Sequence, residues 1–349
     1  MQGMRIALAA VCCAQMLAFT GASAQVGRRE QDRIDEALRR QSDALVALAD
    51  DAVGGRPVPA DFTLEWRNDF FKAQPGTFVP FTVSFLAPPS DARAALLYVR
   101  VEAQGDADRR PRPFAYETIF PVRLASSAGR LVRLTRGFAV PPGRYRVVLV
   151  LRESTDESEQ ARKAGTLLQS LDVPDFWTGR LATSTIMLAD RLERLDAPLP
   201  ADQLDEDPYA VGANRIHLAR SPAFSRQNEL IVAFLIYNLS VSPDGQFDAQ
   251  VDYHLYRKIE GGQGPPGRAA EPGGARTGER YLTRTNPQRF NPSMMGAQFD
   301  PGSGTPLLAG QGILLTGFEP GEYRLGITVT DLLSRQSLSR DVAFSVTGR

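Results

Sequence analysis

The sequence predicts an all-β protein built from two tandem β-sandwich domains. Three observations carry this. Runs rich in β-branched and aromatic residues recur at short intervals, with Gly, Pro, Asp and Ser between them. A corner motif occurs once in each half of the chain. A length of 349 residues suits about two domains of ordinary size.

The first element reads as an export signal. Arg5 supplies a positive start, Ile6 to Phe19 is an apolar run too short to span a bilayer, and Ala22-Ser23-Ala24 is a small-x-small cleavage site. Residues 1–24 are therefore expected to be removed, leaving a periplasmic or extracellular protein that starts at Gln25. Both cysteines, Cys12 and Cys13, would leave with the signal. The mature chain would then hold no disulfide, thiol nucleophile or Cys-based metal site, so its stability must come from apolar burial. Neither cysteine follows the small residue that a lipoprotein signal needs. No second apolar run is long enough for a membrane span. Lysine occurs only at Lys72, Lys163 and Lys258, so the basic residues are overwhelmingly Arg. That bias reads as a GC-rich bacterial genome. A formal net charge of +0 gives no electrostatic reason to expect nucleic acid as a partner.

Residues 25–59 form an N-terminal helix and linker. Ile34, Leu38, Leu45 and Leu48 recur at helical spacing within 28–53, and Gly54, Gly55, Pro57 and Pro59 stop the helix. Its single apolar face is expected to pack on the first domain, with self-association as the alternative.

The first sandwich is assigned to 60–176. Its strands are read at Thr77 to Leu86, Ala94 to Glu102, Phe114 to Leu124, Arg130 to Phe138, Tyr145 to Leu151 and Thr166 to Val173. The second is assigned to 177–349. Its strands are read at Thr183 to Leu188, Glu229 to Leu239, Phe247 to Arg257, Gly278 to Thr283, Gly312 to Phe318, Tyr323 to Thr330 and Val342 to Val346. A Gly/Pro-rich loop, 260–278, carries almost no apolar residue to order it.

The repeat is the most specific signal. Gly137-Phe138-Ala139-Val140-Pro141-Pro142-Gly143-Arg144-Tyr145-Arg146-Val147 in the first half matches Gly317-Phe318-Glu319-Pro320-Gly321-Glu322-Tyr323-Arg324-Leu325 in the second. The first copy is longer by two residues, which preserves strand parity. Pro142 and Pro320 set φ, Gly143 and Gly321 supply the turn, and Tyr145 and Tyr323 enter the next strand. Each Tyr hydroxyl is expected to bond back to the corner backbone, a stabilising device of immunoglobulin-like and fibronectin-like sandwiches.

A wider likeness rests on Val173-Pro174-Asp175-Phe176, Leu181-Ala182-Thr183-Ser184, Phe224-Ser225-Arg226-Gln227-Asn228-Glu229-Leu230, Tyr237-Asn238 and Thr330-Asp331, taken with the second corner. Residues 173–349, and more loosely 120–173, resemble the C-terminal β region of acidobacterial secreted proteins related to the von Willebrand factor A domain. The A domain itself is missing. Its metal loop, Asp-x-Ser-x-Ser, has no counterpart, because Asp156-Glu157-Ser158-Glu159-Gln160 fails at the last position. The resemblance implies a fold and an exported setting, without the metal chemistry.

No catalytic constellation stands out. His217 and His254, the only histidines, lie in separate strand-like contexts and lack metal-ligand spacing. No Gly-x-Ser-x-Gly elbow or phosphate-cradling Gly loop is present. Asp202, Asp205, Glu206 and Asp207 read as a solvated acidic loop without EF-hand spacing. Paired carboxylates for glycoside hydrolysis would have to meet in space without a local marker. Arg130, Arg133, Arg136, Arg144 and Arg146, with Phe114 and Tyr116, could form a basic-aromatic surface, although charged strand faces are ordinary edge protection. Asn238-Leu239-Ser240 is a formal glycosylation sequon ending an apolar strand. No cofactor, metal site or catalytic residue is assigned. The expected function is a non-catalytic envelope protein that binds a protein partner. A polysaccharide-binding module is the first alternative and a carboxylate-based hydrolase the last.

Overall fold

A computed structural model of the chain describes residues 39–348, apart from 75, 88–91, 106–113, 125–128, 155–161, 201–202, 260–273, 296–298 and 300. The signal segment 1–24, the start of the helix, the Asp156–Gln160 segment, Asp202 and most of the 260–278 loop lie outside the described residues.

After a helix over 39–53 (α1) come eight strands: β1 (Leu64–Asn68), β2 (Phe71–Lys72), β3 (Thr77–Leu86), β4 (Ala94–Ala103), β5 (Tyr116–Arg123), β6 (Leu131–Val140), β7 (Gly143–Ser154) and β8 (Ala164–Val173). They form two sheets, β5-β4-β7-β8 and a second in which β3 pairs with β1 and β2 on one side and β6 on the other. Strand alternation explains what lies between them. Tyr145, Val147, Leu149 and Leu151 of β7 point inward, against Val79, Phe81, Val83 and Phe85 of β3 and Leu97 and Val99 of β4. The intervening residues Val148 and Val150 face outward and are also buried, under Leu45 and Ala49 of α1. This is why β7 reads as an almost unbroken apolar run. Over its described residues the helix therefore packs on the first sandwich through Leu45 and Ala49.

The second half contains β9 (Ala182–Thr183), β10 (Met187–Arg194), β11 (Ala210–Val211), β12 (Asn214–Leu218), β13 (Ala223–Ser225), β14 (Glu229–Tyr237), β15 (Ala249–Lys258), β16 (Glu279–Arg284), β17 (Gln288–Phe290), a short helix α2 (Pro292–Met295), β18 (Leu307–Leu314), β19 (Gly321–Asp331) and β20 (Gln336–Thr347). One sheet runs β11-β12-β10-β14-β18, with β9 also on β14. The other runs β13-β20-β19-β15-β16, with β17 also on β15. Their shared core holds Phe234, Ile236, Tyr253, Leu255, Leu325, Ile327 and Phe344.

Several strands differ from the sequence reading. The run at 183–188 is two strands, because Ser184 exchanges hydrogen bonds with Leu235 (Leu235 N to Ser184 Oγ, 2.9 Å) while Thr185 Oγ1 accepts from Phe70 N at 2.9 Å. The chain thus turns aside to touch the first sandwich. The run at 312–318 is displaced: β18 spans Leu307–Leu314, and residues 315–320 lead into the second corner. Strands β1, β12 and β17 carry too many charged or polar residues to show an apolar alternation.

A third apolar cluster joins the two sandwiches. Phe71, Phe176, Met187, Tyr209, Ala233, Leu235 and Tyr237 are buried together, and Tyr209 meets Phe71 edge-on at 6.0 Å. Asn238, in a left-handed conformation (φ 59°), ties the junction. Its amide nitrogen donates to Phe176 O (2.9 Å) and Arg180 O (2.8 Å), and its oxygen accepts from Lys72 Nζ (2.6 Å). The nitrogen that a glycan would need is fully used, so the Asn238 sequon serves the junction.

Candidate functional site

A polar depression lies between the sandwiches, with a cavity volume of about 330 Å³. Strand register builds its floor. Glu65, Ser84 and Arg133 stand in one row across β1, β3 and β6, and Arg67, Thr82 and Thr135 stand in the next. All six line the depression. Short hydroxyl side chains thus occupy the central strand and, at Thr135, part of β6, with Glu65, Arg67 and Arg133 beside them, which makes a trough. Thr82 and Thr135 share a hydrogen bond of 3.0 Å.

The opposite wall comes from the second sandwich, chiefly Glu206, Asp207, Tyr209, Arg215, His217 and Arg220. Tyr209 donates its hydroxyl to Asp69 at 2.7 Å. Burial pushes the Asp69 carboxyl above its ordinary value, and the Tyr209 hydrogen bond and the charge of Arg67 work against that shift. Burial, followed by the adjoining Asp69 charge, also drives the Tyr209 phenol upward.

The sequence-predicted residues fall in different places. His217 sits on this wall, with Nε2 2.5 Å from Glu193 Oε2, and Arg215 joins Glu193 (3.3 Å) to Asp207 (2.5 Å). The His217 hydrogen bond, ahead of the nearby arginines, holds Glu193 below the usual carboxylate range. His254 is buried far along the chain on β15, beside Tyr281 at 6.0 Å between ring centres. The acidic loop is more than a solvated one: Asp207 is paired with Arg215, and Glu206 reaches Arg136 of the first sandwich at 3.7 Å.

The basic-aromatic group divides. Arg146 pairs with Glu102 at 2.6 Å, Arg136 lies over Phe120 at 5.5 Å, and Phe114 lies under Arg100 at 4.7 Å. Arg133 alone of the five lines the trough. The two corners lie elsewhere. Tyr145 donates its hydroxyl to Pro141 O at 2.8 Å and Tyr323 donates to Glu319 O at 2.5 Å. Gly143 (φ 149°) and Gly321 (φ 153°) take backbone conformations that favour glycine. The corners close strands and touch no cavity of the trough.

Sequence reading missed Thr82, Ser84, Tyr209 and Arg220. The one visible trace was polar Thr82 and Ser84 within the mostly apolar β3, TFVPFTVSFL. Among the described residues, no group of His, Cys, Asp or Glu is arranged to hold a metal ion. No described helix is long and apolar enough to cross a membrane.

No family model matches the chain, and no curated protein matches it. Among solved structures, it is similar to crystal structures of Salmonella alpha-2-macroglobulin. One is a point mutant, at 13% identity over 83% of this chain and 15% of that one, with a TM-score of 0.22. Another is the form reacted with methylamine, at 13% identity over 83% of this chain and 17% of that one, with a TM-score of 0.21. The chain thus spans a small part of the length of these structures.

Proposed function

We propose that this chain is a non-catalytic, exported envelope protein that receives an extended segment of a partner protein along β18. The observation behind this reading is the chemistry of the sheet edges. An outer strand offers unpaired backbone groups, and proteins ordinarily blunt it with charge or proline. β5 carries Glu117, Pro121 and Arg123; β16 carries Glu279, Arg280 and Arg284; β6 carries Arg133 and Arg136. β18, Leu-Leu-Ala-Gly-Gln-Gly-Ile-Leu, carries neither charge nor proline and lies at the end of its sheet. Leu314 at its end is 69% exposed. Gln288 Nε2 and Gln311 Nε2 cap the Gly310 and Gly312 carbonyls, both at 2.7 Å, and an incoming strand would replace them with the main-chain bonds that supply affinity in strand addition. The exported setting rests on the signal pattern at 1–24.

A photo-crosslinking residue in place of Leu314, in the producing cell's envelope, tests the reading. It predicts one reproducible protein adduct. With the photo-crosslinking residue moved to Leu308, Gln311→Lys combined with Leu314→Lys should abolish the adduct without lowering the melting temperature. An unchanged adduct in the double variant, or none in the parent, rejects the reading.

A further inference from the structure

The trough has a feature that the β18 edge does not share. Its hydrogen-bonding capacity is unspent on one side. Asp207 and Glu206 are engaged by Arg215 and Arg136. Arg67, Arg133 and Arg220, which also line the trough, make no ion pair among the described residues. Arg133 reaches across from β6, and Nη2 lies 3.4 Å from the Arg220 main-chain oxygen. Its guanidinium therefore spans the gap between the sandwiches. A guanidinium presents a planar fork of donors that matches a carboxylate in two places at once.

The floor between these arginines consists of Thr82, Ser84 and Thr135. The Thr82–Thr135 hydrogen bond leaves capacity on both hydroxyls. Hydroxyls both donate and accept, as the hydroxyls of a sugar do. Four carboxylates line the trough and oppose an anion, Glu65, Asp69, Glu206 and Asp207. Asp207 is held by Arg215 at 2.5 Å, and Glu206 is exposed and lies 3.7 Å from Arg136. Asp69 is drawn aside by Tyr209 at 2.7 Å and faces the charge of Arg67. From this arrangement we infer that the trough binds a carboxylate-bearing saccharide, its acid group held by Arg67, Arg133 and Arg220 and its hydroxyls by Thr82, Ser84 and Thr135. A volume of about 330 Å³ lies at the small end of ligand sites and fits one or two sugar rings. The inference is independent of the β18 reading, since no residue of β18 lines the trough.

The test is calorimetric titration of the full chain with oligogalacturonate, against dextran and poly-glutamate as comparators. The inference predicts saturable binding of oligogalacturonate alone. Arg67→Gln and Arg133→Gln should each weaken it about tenfold or more, as expected for loss of a charge-assisted bidentate contact. Asp69→Asn, which keeps an acceptor for Tyr209, should tighten it. Arg340→Gln, on exposed β20, should leave it unchanged, as should the β18 double-lysine variant. Melting curves identify any variant that binds poorly through misfolding, and both Arg67 and Arg133 are exposed. No heat with oligogalacturonate, equal binding of dextran, or equal binding of poly-glutamate would each overturn the inference.

Discussion

Each sandwich buries an arginine over an aromatic ring, and the two are used differently. Arg100 of β4 lies over Phe114, and its side chain is 2% exposed. Its partners are Asp50 of α1 at 2.7 Å and Glu102 of its own strand at 2.9 Å. Arg324 of β19 lies over Tyr256 at 4.0 Å, and its side chain is 5% exposed. Its partners come from the sheet itself: Glu279 of β16, at 2.8 and 2.5 Å, and Asp341 of β20, at 2.6 Å. Arg324 therefore bridges the whole β20-β19-β15-β16 order, whereas Arg100 bolts a helix onto a sheet that is already complete. Gly326 leaves room for this, because a side chain there would press on Arg324 and Tyr256. The same guanidinium-on-ring arrangement locks strands in one place and attaches a separate element in the other.

That comparison gives its largest consequence on removing each arginine. Arg324→Met would leave Glu279, 7% exposed, without its cation. Breaking a buried pair this way costs about 3–5 kcal/mol. Arg100→Met would leave Asp50, which is 57% exposed, free to be solvated, at a cost of about 1–2 kcal/mol. Denaturant melts measure both. Limited proteolysis should find α1 more readily cut in Arg100→Met alone. Equal losses in the two variants would break the comparison.

A smaller effect concerns acid. The Arg324 hydrogen bonds, against the opposing effect of burial, hold the Glu279 carboxyl below its ordinary value. A carboxylate whose folded pKa is depressed contributes stability above its unfolded pKa, and that contribution disappears as pH falls through the folded value. The second sandwich should thus lose stability below the ordinary glutamate range. Glu279→Gln should flatten that part of the stability–pH curve while lowering its neutral plateau. An unchanged acid slope in the variant would assign the dependence to other carboxylates.

The smallest effect separates the corners. Tyr145→Phe and Tyr323→Phe each delete one hydroxyl-to-carbonyl bond, about 1 kcal/mol apiece. Because the two rings lie in different cores, the double variant should show the sum of the single losses. A clear departure from additivity would mean that the corners communicate through the junction.

What was legible in the sequence was local. A corner joins Tyr145 to Pro141 and Tyr323 to Glu319 four residues back, so its pattern survives in a linear reading. Long strands of period two were equally plain, as β3 and β19 show. The trough was not legible. Arg67, Thr82, Arg133 and Arg220 come from distant parts of the chain, and each alone has an ordinary solvent-facing interpretation. Only strand pairing sets them in rows. Arg324 was hidden for a related reason, since its partner groups sit on separate strands that meet only in the finished sheet.

The apolar junction has a kinetic consequence. Phe71 and Tyr209, with Phe176 and Tyr237, make a packed contact continuous from one sandwich to the other, and Asn238 binds the connecting segment to both. A clamp needs a hinge, and here the place a hinge would occupy is filled. A molecule entering the trough would meet jaws already set at their final width. Its capture would be a single encounter step, with a rate proportional to ligand concentration and no plateau from a slow closing motion.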